Sequence, residues 1–109
     1  MPILFEKGEK LTLLNLVEYS DNGIISKHVL ESPAGNITLF SFDKDQKLSE
    51  HSAPYDAFLE VLEGMAQINI AGQPNVLIAG NSIILPANIP HAVLAMEKFK
   101  MLLVMIKKC

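Results

Sequence analysis

Apolar residues along the chain fall in short runs broken by clusters of turn-forming residues. Such runs occupy Ile37 to Phe42, Phe58 to Glu63, Ala66 to Ile70, Val76 to Ile78, Ser82 to Leu85, Ala92 to Met96 and Phe99 to Ile106. In Ala66-Gln67-Ile68-Asn69-Ile70 apolar and polar residues alternate, as a half-buried strand requires, with Gln67 and Asn69 on the outward side. Between the runs lie Ser20-Asp21-Asn22-Gly23, Ser32-Pro33-Ala34-Gly35-Asn36, Asp43-Lys44-Asp45-Gln46, Ala71-Gly72-Gln73-Pro74-Asn75, Ala79-Gly80-Asn81 and Pro86-Ala87-Asn88-Ile89-Pro90. Short strands with turns of this kind every eight to twelve residues or so predict an all-β sandwich or barrel. Gly64, Gly72 and Gly80 mark its corners, and Gly64 sits where a tight hairpin needs a positive φ. Leu11 to Tyr19 reads differently. Leu13, Leu14 and Val17 share a helical face behind Thr12, which predicts one short N-terminal helix with Thr12 as its N-cap.

The 109 residues, half of them hydrophobic, suffice for one core and are too few for two, so the chain reads as a single domain over 1–109. A net charge of −3, with no basic stripe, argues against a nucleic-acid partner; Lys107-Lys108 reads as a solvated tail. No apolar stretch is long enough to cross a bilayer, and Met1-Pro2-Ile3-Leu4-Phe5-Glu6-Lys7 lacks the form of a signal peptide. With one cysteine, Cys109, no internal disulfide forms. A cytoplasmic location without membrane attachment is the expectation.

His51 and His91 are the candidate chemistry. Each lies beside a proline-containing segment at a strand end, and the mouth of a small barrel is where a ligand pocket is expected. Tyr55 is placed to add a hydroxyl. His28 reads as a surface or edge-strand residue. Met96, Met101 and Met105 read as core filler, and Pro86 and Pro90 as the fixed turn that delivers His91.

Two stretches carry a family resemblance. Residues His51 through Val61-Leu62-Glu63-Gly64, and Gly80-Asn81-Ser82-Ile83-Ile84-Leu85-Pro86-Ala87-Asn88-Ile89-Pro90-His91, are similar in spacing to the paired motifs of small single-domain cupins of the RmlC-like group. The resemblance implies a double-stranded β-helix (jelly-roll) barrel with core motifs at 46–72 and 80–95. It also implies a metal site of three histidines and one glutamate. His51 and His91 match the outer two ligand positions, whereas Ala53 and Ala57 occupy the others, so the first metal motif is degenerate. A divalent Fe, Mn, Ni or Zn ion then needs a further ligand. Asp56 is the nearest candidate, but alternation aims it to the opposite face unless the strand is bulged there; Glu50 and His28 are further candidates.

Two readings follow. In one, the pocket binds a small anionic or aromatic molecule, with His51 and His91 as hydrogen-bond donors. In the other, His51, His91 and a carboxylate hold a metal for dioxygenase, isomerase or decarboxylase chemistry. The expected protein partner is a second copy, paired through edge strands around Gly23 to Leu30 and Ile3-Leu4-Phe5.

Overall fold

The computed structural model describes residues 5–107; Ile3, Leu4, Lys108 and Cys109, named above, lie outside the described residues. Nine strands are present among these residues: β1 (Ile24–Ser32), β2 (Gly35–Phe42), β3 (Lys47–His51), β4 (Asp56–Glu63), β5 (Met65–Ile70), β6 (Gln73–Ile78), β7 (Ser82–Leu85), β8 (His91–Ala95) and β9 (Phe99–Ile106). They form two antiparallel sheets, ordered β1-β2-β9-β4-β7 and β3-β8-β5-β6. The double-sheet jelly roll is the all-β barrel that the sequence pattern implies.

Alternation sorts the side chains. Ala57, Leu59 and Val61 of β4 are buried in one core with Val93 and Ala95 of β8, and His91 lies on the same buried face of β8. One end of the barrel is closed by Phe42 and Phe99, which are register partners with rings stacked 4.5 Å apart. The other end carries the histidines. Met101 is core, while Met96 and Met105 are only half-buried.

Of the corners, Gly64 is the most demanding. Its φ is +84°, and a Cβ there would lie 1.9 Å from the Lys98 carbonyl oxygen, so only glycine fits. Asn88 takes a φ of 64° where the related motif has glycine, a conformation asparagine tolerates better than most residues.

The predicted N-terminal helix reduces to a single 3₁₀ turn, Leu13–Asn15, and the Thr12 side chain does not cap it. The segment is held by tertiary contacts instead. Val17 is fully buried, the Ser41 hydroxyl donates to the Glu18 carbonyl at 2.6 Å, and Lys100 Nζ donates to the Leu14 carbonyl at 2.6 Å. Tyr19 donates to Glu63 at 2.6 Å, with Lys98 and Lys100 over its ring. Burial, with the Glu63 carboxylate beside it, raises the Tyr19 pKa above the ordinary tyrosine range. The segment is thus a strap across the outer face of β2 and β9. A strap needs only a few anchors, so the Leu13, Leu14 and Val17 spacing does not build a helix.

Candidate functional site

His51 ends β3 and His91 opens β8, and the two are register partners. Alternation alone would not bring them together. Leu48 pairs with Val93 and His51 with His91, so Ser49 and Glu50 together stand opposite Ala92. This β-bulge gives β3 one extra residue and turns His51 inward beside His91. The ring centroids lie 4.4 Å apart at an interplanar angle of 67°.

The connections that carry the two histidines are fastened to each other. The Asn88 N–H donates to the Ala53 carbonyl at 2.7 Å, and the Ala87 N–H donates to Asp56 Oδ1 at 2.8 Å. The Ala71 N–H ties the β5–β6 turn to the Pro90 carbonyl at 2.8 Å. Asp56 therefore positions the loop before His91. It lies on the exposed face of β4, with Ala57 on the buried one.

Each imidazole is oriented by its own backbone. His51 Nδ1 lies 2.8 Å from the Ser49 carbonyl oxygen and His91 Nδ1 lies 3.3 Å from that of Ile89. A carbonyl oxygen only accepts, so Nδ1 carries the proton in both rings and Nε2 is left free. His91 is buried, at 8% exposure, whereas His51 is exposed. Burial, reinforced by the neighbouring His51, pushes the His91 pKa below the ordinary histidine value, against a smaller opposing effect of its bond to Ile89. His91 is therefore neutral at pH 7, and its Nε2 accepts rather than donates.

Of the other candidates, Tyr55 is half-buried in the bend between β3 and β4. His28 is exposed on edge strand β1, where its Nδ1 lies 3.0 Å from the Thr38 hydroxyl. Glu50 is exposed within the bulge. No cluster of three or more His, Cys, Asp or Glu side chains suited to a metal ion exists among the described residues, so neither Asp56, Glu50 nor His28 joins the histidines as a third ligand. Two imidazoles fall short of the three protein ligands of an ordinary catalytic metal site. Two surface concavities, of about 210 and 420 Å³, lie elsewhere: one beside Leu30 and Ile37, the other beside the bulge at Ser49 and Glu50. The histidine pair lies outside both.

A two-sheet jelly roll whose two motif histidines meet at one end of the barrel is the architecture of a small β-barrel domain. The chain matches the cupin-domain family over residues 38–107 and belongs to it. It is similar to a conserved protein of unknown function from Streptococcus pyogenes, with 36% identity and a TM-score of 0.90 over 96% of this chain and 92% of the other. It is also similar to a cupin conserved-barrel protein from Leptotrichia buccalis, with 42% identity and a TM-score of 0.86 over 89% of this chain and 47% of the longer relative. A cupin superfamily protein from Desulfitobacterium hafniense shares 28% identity at a TM-score of 0.88, covering 94% of each chain. No curated protein sequence matches the chain. No helix among the described residues is long and apolar enough to cross a membrane.

Proposed function

We propose that this cupin binds a small molecule at the mouth of its barrel through His51 and His91, without a resident metal ion. The observation that supports this most directly is the commitment of both Nδ1 protons to backbone carbonyls, which leaves two Nε2 atoms and no third ligand. Because His91 is neutral at pH 7, it favours a ligand that brings its own hydroxyl or amine proton. The sequence alone suggested an anionic or aromatic molecule held by two donors. Burial of His91 shifts the reading toward a neutral or cationic donor, with acidic ligands binding better as the pH falls. Tyr55, half-buried between the two strands, is the further polar group offered to such a ligand.

The test combines two measurements on protein purified without a metal-affinity tag. A thermal-shift panel of neutral polyols, amines and aromatic acids is expected to stabilise the wild type and to leave His91→Gln unchanged. Elemental analysis is expected to find no stoichiometric Fe, Mn, Ni or Zn. Stoichiometric metal that is lost from both His51→Ala and His91→Ala would overturn the metal-free reading in favour of a metal-dependent enzyme.

A further inference from the structure

On the outer face of the four-stranded sheet, β3, β8 and β5 enclose a hollow of about 420 Å³, a volume typical of small-molecule sites. Its origin lies in the register. Lys47 of β3 pairs with Leu94 of β8, and Asn69 of β5 pairs with Ala92 of β8. Val93 belongs to the core, so its neighbours Ala92 and Leu94 point outward. Ala92 is flanked by the bulge at Ser49 and Glu50 on one side and by Asn69 on the other. A methyl group set between longer side chains leaves the floor low there. The hollow and the histidine pair therefore lie on opposite faces of the same two strands, and the bulge bounds both.

The walls carry one charge of each sign. Exposed Lys47 stands level with Leu94 and exposed Glu50 level with Ala92, two residues or about 7 Å apart along β8. Ser49 adds a hydroxyl between them, its carbonyl being taken by the His51 imidazole. Across the hollow, Asn69 Oδ1 accepts from Gln67 Nε2 at 3.0 Å, which fixes the amide and leaves its oxygen a second lone pair. One end of the hollow thus offers an ammonium group and the other a carboxylate with an amide oxygen. Apolar Ala92 and Leu94 form the floor between them. A simple anion would satisfy only the Lys47 end, and a simple cation only the Glu50 end. An α-amino acid satisfies both. Its carboxylate and ammonium share one carbon, and with each about 2.8 Å from its partner the zwitterion covers a gap of this size.

We propose that the hollow binds a free α-amino acid with an apolar side chain. Lys47 and the Ser49 hydroxyl hold its carboxylate, Glu50 and Asn69 Oδ1 hold its ammonium group, and its side chain lies on Leu94. The site is separate from the mouth of the barrel and does not depend on what the histidines bind.

L-Leucine is the probe, titrated to millimolar concentration into isotope-labelled protein and followed by NMR. The amide resonances of Ser49, Glu50, Asn69 and Leu94 are expected to move in a saturable way. L-Leucinamide and N-acetyl-L-leucine each lack one of the two charges and are expected to bind about threefold to fivefold more weakly. Lys47→Met and Glu50→Gln are expected to weaken L-leucine by a similar factor. Ala92→Leu, which fills the hollow, is expected to abolish the shifts, whereas His91→Gln leaves them at these four residues. No saturable shift in the wild type, L-leucinamide binding as tightly as L-leucine, or binding that is lost in His91→Gln but kept in Ala92→Leu would each overturn the proposal.

Discussion

Leu48 and His51 are three residues apart on β3, an odd interval, yet both face the barrel interior opposite Val93 and His91. A regular strand puts residues at odd intervals on opposite faces. The extra residue at Ser49 and Glu50 absorbs the difference, and the Ser49 carbonyl also receives the His51 Nδ1 proton. Deleting Glu50 is therefore expected to abolish the contact between the imidazoles while the barrel survives. Nuclear Overhauser effects between the two rings report it directly; if they persist in the deletion variant, the bulge is not what aims His51.

The low pKa of His91 makes stability depend on pH. The unfolded chain takes up this proton near the ordinary value of about 6.5, whereas the folded chain takes it up lower. The contribution of neutral His91 is complete above about pH 6.5 and is lost as the pH falls from there through the folded value. Between about pH 7.5 and 5.5 the wild-type melting temperature is expected to drop more than that of His91→Gln. Parallel melting curves for the two proteins across that range would refute the assignment.

Two glycines with similar positive φ should respond very differently to alanine. At Gly72 an added Cβ meets nothing within 4 Å, so only the left-handed backbone is penalised, by about 1 kcal/mol. At Gly64 the same atom collides with the Lys98 carbonyl, Phe99 Cα and Phe99 Cβ, and the loss is expected to exceed about 3 kcal/mol. Urea denaturation of Gly64→Ala and Gly72→Ala measures the difference.

If the alanines at 53 and 57 are what keeps a metal from being held, replacing them should create a site. Ala53→His with Ala57→Glu is expected to bind Zn or Ni at least about tenfold more tightly than wild type, a difference of about 1.4 kcal/mol. Without metal the variant should lose about 1–3 kcal/mol of stability, since Ala57→Glu puts a carboxyl group at a buried position. Calorimetric titration with either ion decides the matter. Equal affinities would mean that the backbone at 53 and 57 does not aim side chains at the histidines.

The strands legible in the sequence were those filled with aliphatic and aromatic residues, such as Phe99 to Ile106 and Ser82 to Leu85, whose bounds recur unchanged. β3 was not legible as a strand: Lys47-Leu48-Ser49-Glu50-His51 has one aliphatic residue, and its two inward positions do not alternate. Its pairing with β8 supplies what its own composition lacks. The histidines were identifiable because motif spacing survives in the chain, but the role of Asp56 was not. A carboxylate beside a ligand position reads as a candidate ligand until the fold brings the Ala87 N–H to it from 31 residues away. An apolar row on the outer face of the larger sheet was equally hidden: Leu30, Ile37, Val104, Phe58 and Ile84 are ordinary one by one, and only the register across five strands joins them.

The cupin match begins at Thr38, in the middle of β2, whereas the strap that buries Leu39 and Ser41 ends well before it. The unit that folds is therefore larger than the unit that is recognisable by family. A fragment cut at the start of the match would keep both histidines yet uncover the outer side of β2, removing Val17 and the carbonyls of Leu14 and Glu18 that receive Lys100 and Ser41. For an engineer who grafts this barrel onto another protein, residues 11–20 belong with the cargo and are not a linker to be trimmed.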